Sequence, residues 1–221
     1  MKIISFEIYY QKKLCLSYSH IDAIDKIIEI AEKNEKTTII AIGAITNVAL
    51  AIKLAPQIIS KIKVVWLGGH SPILKDNQEF NFRQDIQAVQ EVFNSGVELV
   101  VIPCKGVSSH LSISIYELEH YLNENTKPNQ FLKTVYLNFM QSQITTPEGK
   151  IGFSKVIWDL APIAYEINPD WFKTKCINCP KVLDNGVYEQ TTNQHKITFA
   201  SYLSRDKIFH DFFMKLGEPN E

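Results

Sequence analysis

Residues 79–88 read EFNFRQDIQA and set a carboxylate, an amide and a guanidinium among the rings of Phe80 and Phe82. An ionised Glu79 only accepts hydrogen bonds, Asn81 donates and accepts, and Arg83 only donates. Hydrogen-bonding heads beside apolar surface are the mixture that lines a small-molecule pocket. Just upstream, VVWLGGH closes an apolar run with Gly68, Gly69 and His70. Asp85 stands before an apolar-periodic stretch and is expected to cap its helix. Asp159, in WDLAPIAYEI, reads first as a negative charge at the N-terminus of another helix. His70 and His110 read as ordinary polar residues beside a cleft. Cys176 and Cys179 form a C-x-x-C, but Pro180 and a Gly/Asn turn follow it where a redox pair would lead into a helix. A structural zinc would need two more ligands nearby, so these cysteines are expected to be reduced thiols in a loop.

The elements that must position these residues follow from hydrophobic period. HIDAIDKIIEIAEKN places Ile21, Ile24, Ile27, Ile28 and Ala31 on one face, which predicts an amphipathic helix over His20 to Lys33. TTIIAIG is a short buried strand, and Thr46 with Asn47 should open the helix VALAIKLAP, which Pro56 helps close. KIKVVWLGG repeats the strand-to-glycine pattern, DIQAVQEVFNSG is a helix ending at Gly96, and VELVVIPC is a third strand. Buried strand, helix, buried strand predicts the α/β class: a parallel, Rossmann-like sheet with helices on both faces. From Ser108 onward SIYELEHYLN, NQFLKTVYLNFMQS and KVIWDLAPIAYEINPDWF space their apolar residues as helices do. NGVYEQ and HKITFASYL are expected in an added meander or small β-hairpin, and RDKIFHDFFMKLG in a last helix stopped at Gly217. In such sheets ligands bind beyond the carboxyl ends of the strands, which is where the loop before EFNF lies.

The bulk composition limits the partners. The 221 residues, 45% of them apolar, suit a single domain over residues 1–221. Lys plus Arg number 23 against 24 for Asp plus Glu, with no long run of either sign, so nucleic acid is not an expected partner. No run of about 18 apolar residues exists for a membrane span, and residues 1–19 do not build a signal-peptide core, so a soluble, cytoplasmic protein is expected.

AIGAITNVALAIKLAP, VVWLGGH, EFNFRQDIQAVQEVF and WDLAPIAYEINPDWF follow one another in the order and approximate spacing of the inosine-uridine preferring nucleoside hydrolases. The chain resembles that family from about Ala23 to Leu216. The resemblance implies a hydrolase that cleaves the N-glycosidic bond of a purine or pyrimidine ribonucleoside, giving free base and ribose. It also implies a calcium ion that holds the ribose hydroxyls and the attacking water. By resemblance, Glu79 and Asn81 contact the ribose, Asn77 is a further ribose contact, and Asp159 and the backbone carbonyl of Ile42 are calcium ligands. Trp158 stands at the catalytic position where many members carry a His that protonates the leaving base. An indole has no proton to give near neutral pH, but it can stack on a purine or pyrimidine.

The family opens with a strand and a turn of the form D-x-D-x-x-x-D-D, and no such cluster occurs here. The chain therefore reads as an N-terminally truncated member. One carboxylate and one carbonyl fall short of the six to eight oxygens calcium takes. A missing strand would leave a sheet edge that invites pairing with another chain, as a homo-oligomer, or with KIISFEIYY itself. A nucleoside hydrolase, a ribose- or nucleoside-binding remnant without turnover, and a protein in which EFNF merely packs a loop all follow from these residues.

Overall fold

The three runs rich in Ile and Val lack the polar alternation of a half-solvated strand, so each needs cover on both faces. They form the middle of one sheet. The computed structural model describes residues 3–6, 23–74, 77–122, 125–143 and 154–217. In chain order the first half comprises β1 (Ile3–Phe6), α1 (Ala23–Lys33), β2 (Thr37–Ala41), α2 (Thr46–Leu54), β3 (Ile62–Leu67), α3 (Phe80–Arg83), α4 (Ile86–Asn94) and β4 (Glu98–Ile102). The second half adds β5 (Ser112–Ser114), α5 (Ile115–Tyr121), α6 (Lys127–Gln143), β6 (Ser154–Val156), α7 (Leu160–Ile167) and β7 (Phe172–Asn178). It closes with β8 (Lys181–Val182), β9 (Tyr188–Glu189), β10 (Lys196–Leu203) and α8 (Arg205–Leu216).

The main sheet has the order β1-β2-β3-β4-β10-β7. Its first five strands are parallel, and β7 runs antiparallel to β10. Ala41 pairs with Trp66 and Leu67 with Ile102, so the carboxyl ends of β2, β3 and β4 finish side by side. Successive side chains of a strand face opposite ways. Val64 and Trp66 accordingly pack with Ile27, Val48, Ile52, Val89 and Phe93 of α1, α2 and α4. Val65 and Leu67 pack with Leu118, Tyr136, Ala164 and Phe209 on the other face. Helices on both faces are thus what the strand composition demands.

The structure departs from the sequence reading in four places. HKITFASYL is not part of an added hairpin: β10 lies within the main sheet, parallel to β4. Its partner is almost a hundred residues away, a pairing that local pattern does not reveal. The helical reading of the WDLAP segment ends at Ile167, because Asn168 and Pro169 stop α7, and FKTKCIN becomes the edge strand β7. Cys176 is therefore exposed on a strand rather than in a loop, while Cys179 is buried with its thiol 3.1 Å from the Phe93 carbonyl. Thr46 and Asn47 lie inside α2, whose N-cap is Ile45, and the Thr46 hydroxyl donates instead to Asp85 at 2.7 Å.

Other expectations hold. Asp85 caps α4 by accepting from the Ala88 N–H at 2.9 Å. NGVYEQ contributes β9 to a small antiparallel hairpin with β8, and Gly217 ends α8 with a φ of 110°. The edge of β2 is covered by β1, drawn from KIISFEIYY. His20, Ile21 and Asp22, which the sequence assigns to the first helix, lie outside the described residues. Among the described residues no helix is long and apolar enough to cross a membrane.

Candidate active site

The turn after β3 is built where only glycine fits. A Cβ at Gly68 would stand 2.2 Å from the Trp66 ring, and one at Gly69 would stand 2.6 Å from the Tyr188 hydroxyl. Gly69 also takes a φ of 71°, a conformation that costs other residues free energy. This tight turn brings the Gly69 amide back over the segment that opens α3.

Glu79 is 6% exposed and caps α3. Its Oε2 accepts from the N–H groups of Gly69 at 3.0 Å and Phe82 at 2.9 Å, and its Oε1 from that of Asn81 at 3.0 Å. A carboxylate has about four lone-pair sites. Oε2 is therefore saturated by main-chain donors, and what remains lies on Oε1, with the Cys104 thiol also within reach of the carboxylate. The Asn81 side-chain amide donates to the Leu67 carbonyl at 2.9 Å and the Ile42 carbonyl at 3.3 Å, strapping the ends of β3 and β2 together. Both amide protons are spent, which leaves Oδ1. Toward a ligand, Glu79 and Asn81 thus offer acceptors only, and they suit a molecule that presents hydroxyl donors.

Glu79, Asn81, Asp159, Trp158 and Ile42 all line one cleft of about 520 Å³ beyond the carboxyl ends of β2, β3 and β4. Trp158 is half-buried, with its ring packed on the second core, and Asp159 is exposed at the N-cap position of α7 without a capping bond from its side chain. Two other cavities, of about 370 and 250 Å³, lie among α5, α6 and α8 and contain none of these residues.

The cleft also contains residues the sequence reading did not assign. Cys104 and Lys105 follow β4 and line it. In a parallel sheet the turn after each strand opens at the same end, and that signal could have found them. Burial pushes the Cys104 thiol well above its ordinary range, and the neighbouring negative charges of Glu79 and Asp159 add to the shift. Phe80 is 63% exposed at the mouth, with the Arg83 guanidinium 5.8 Å over its ring. His70 is buried and lines the cleft, whereas His110 is exposed in a 3-10 turn and does not.

A family model described as "Inosine-uridine preferring nucleoside hydrolase" matches residues 10–209. The chain belongs to that family. A probable ribonucleoside hydrolase of Dictyostelium discoideum is 28% identical over 162 residues, which is 70% of this chain and 46% of that protein. An inosine-uridine preferring nucleoside hydrolase of Leishmania major is 28% identical over 160 residues, 69% of this chain and 49% of that protein. The chain thus spans about half the length of these relatives. Among solved structures, a purine-preferring ribonucleoside hydrolase from Gardnerella vaginalis superposes with a TM-score of 0.75 at 22% identity, covering 91% of this chain and 67% of that one. A plant nucleoside hydrolase superposes at 0.74 with 18% identity, covering 92% and 70%.

Within this nucleoside hydrolase fold, one residue assigned by resemblance stays out of the cleft. Asn77 is buried, accepts from the His70 N–H at 2.6 Å and donates to the Gly186 carbonyl at 3.1 Å, and it is absent from the lining. A calcium ion fits the described residues poorly. They contain no group of three His, Cys, Asp or Glu side chains able to hold a metal. Of the two ligands that the resemblance assigns, the Asp159 carboxylate is exposed and the Ile42 carbonyl is already engaged by Asn81, against the six to eight oxygens that calcium takes.

Proposed function

We propose that the cleft binds a ribonucleoside through its ribose, and that the reaction it serves is hydrolysis of the N-glycosidic bond. The observation that carries this reading is the acceptor-only pair, Glu79 Oε1 and Asn81 Oδ1, at the floor of a cleft that also contains Trp158 and Asp159. Ribose hydroxyls are the donors this pair needs. Trp158 offers its indole face to a planar base, and Phe80 shields the mouth from water. Asp159, a carboxylate in the cleft lining, would take a proton from an attacking water. Cleavage sends the bonding electron pair to the base nitrogen, and the water supplies the new C–O bond and the proton, so base and ribose leave in balance.

Relatives named as ribonucleoside hydrolases support the reaction class. The described residues do not assemble a calcium site. That same deficit favours a second reading, in which the cleft binds ribonucleosides without turnover. Titration calorimetry with inosine and uridine, together with ribose release from both, separates the two. We expect binding that survives chelator and is lost in Glu79→Ala. Release that disappears in Asp159→Asn establishes hydrolysis. Binding without release establishes the second reading, and no binding of either nucleoside by a folded sample sinks both.

A further inference from the structure

The β8–β9 hairpin supplies no residue to the cleft lining, yet it grips the turn that carries Glu79 and Asn81. Asn77 makes the join: its Oδ1 accepts from the His70 N–H and its Nδ2 donates to the Gly186 carbonyl at the hairpin's tip. The amides of Gly69 and His70, neighbours in the chain, are thus fixed by the side chains of Glu79 and Asn77 respectively. Beneath them Tyr188 of β9 is partly buried with its hydroxyl out of water, edge-on to Phe82 at 5.6 Å and stacked on Phe93 at 6.0 Å. The fit is close enough that a Cβ at Gly186 would stand 3.3 Å from the Phe82 ring. On its other side the hairpin is pinned to α4, because the Gln90 amide donates to the Val182 carbonyl and to Asp184, each at 3.0 Å.

We propose that Asn77 is a positioning residue rather than a ribose contact: it clasps the β8–β9 hairpin to the glycine turn, and the hairpin thereby sets the placement of Glu79 and Asn81. Both ends of its amide are committed to main chain, and the residue stands behind the cleft wall rather than in it. Removing the join frees the amides that Glu79 must bind in order to hold its Oε1 toward a ligand. Preorganisation of this kind matters because a misplaced acceptor loses most of its hydrogen-bond energy. The effect on ligand rests on the ribonucleoside reading above, whereas the clasp itself does not.

Hydrogen exchange resolved at single amides tests the clasp. Asn77→Ala removes both bonds. Asn77→Asp is isosteric, keeps an acceptor for His70 and sets an oxygen against the Gly186 carbonyl. The reference is Glu166→Gln, at the opposite end of the sheet, compared at a denaturant concentration that equalises global stability. We expect exchange at Gly69, His70, Asn81 and Phe82 at least tenfold faster in Asn77→Ala than in the reference, with Asn77→Asp accelerating the same amides. Exchange no faster than in the reference overturns the proposal. Calorimetry with inosine and uridine adds the functional arm, in which both Asn77 variants bind at least tenfold more weakly. Wild-type affinity in Asn77→Ala also overturns the proposal. If the wild-type chain binds neither nucleoside while the exchange pattern is as expected, the ribonucleoside reading fails and the clasp stands.

Discussion

Glu79 and Glu166 are two poorly exposed carboxylates, one at each end of the sheet, and they are satisfied in opposite ways. Glu166 ends α7 near the starts of β2 and β3, where it accepts from Lys63 Nζ at 2.8 Å and from the Thr38 hydroxyl at 3.1 Å. Lys63 also lies over the Tyr165 ring, 5.4 Å from its centroid. That is a closed staple: the charge is neutralised, and three elements are joined. Glu79 is held by three backbone N–H groups instead. Main-chain amides fix a carboxylate rigidly without cancelling its charge, so Glu79 still presents a negative acceptor to the cleft. The amino end of the sheet spends its polar groups on stability, and the carboxyl end keeps one in reserve. The same helix, α7, begins beside the cleft at Asp159 and ends at the staple.

The sharpest test of this contrast is truncation of each carboxylate. Glu79→Ala strands three N–H groups in a buried site, and at roughly 1–3 kcal/mol for each unsatisfied donor the loss should reach several kcal/mol. Ligand binding should vanish with it. Glu166→Gln leaves Lys63 without its charge partner, but Lys63 is partly exposed and water can solvate it, so about 1–3 kcal/mol is expected. Urea unfolding measures both. A larger loss for Glu166→Gln than for Glu79→Ala would break the comparison.

Next in size is Asn81→Ala. Two carbonyls, of Leu67 and Ile42, lose a donor. Carbonyls tolerate this better than amides do, so about 1–2 kcal/mol of stability should go, with at least a tenfold loss of nucleoside affinity read by calorimetry. At the opposite end, replacing the ion pair with apolar residues as Lys63→Met with Glu166→Leu should change stability by no more than about 1–2 kcal/mol. It should leave nucleoside affinity untouched. A change in affinity there would show that the staple reaches the cleft.

The central sheet was legible because it rests on local signals, and the cleft residues came from the family resemblance of the motifs that contain them. Buried β-branched runs ending in glycine locate β2 and β3, and in a parallel sheet the turns after such strands share one end. Glu79, Asn81, Trp158, Asp159 and Ile42 come from three separate stretches, and the structure brings all five to one wall. What local pattern could not supply was pairing across distance. β10 joins β4 from far along the chain, and β7 hides its strand character behind the exposed Lys173, Thr174 and Lys175. Lysines of this kind keep an edge strand from pairing with another chain, which makes the strand look like a loop. The surroundings of Asn77 were hidden for a similar reason: the hairpin that accepts its hydrogen bond lies more than a hundred residues further along the chain.

The smallest effect is read at the cysteines, and it probes the charge that distinguishes the two ends. Cys176 is exposed on β7, whereas Cys104 and Cys179 are buried. Burial pushes the Cys179 thiol up to about 12, and Cys104 is raised by burial with Glu79 and Asp159 adding to the shift. The thiolate is the reactive form, so iodoacetamide at pH 8 should modify Cys176 at least tenfold faster than either buried thiol, as peptide mass spectrometry would show. The sign of the linked stability follows. Both folded values are raised, so below the ordinary thiol range the folded state loses nothing. As pH climbs through it the unfolded chain ionises first, and the urea midpoint should fall from about pH 9 toward 12. Glu79→Gln then separates the two thiols. It removes one of the charges that raise Cys104, and so Cys104 should be alkylated faster in that variant, while Cys179, raised by burial alone, keeps its wild-type rate. Equal rates for Cys104 with and without the Glu79 charge would mean that burial alone holds that thiol, as it does Cys179, and that the carboxylate's field does not extend across the cleft.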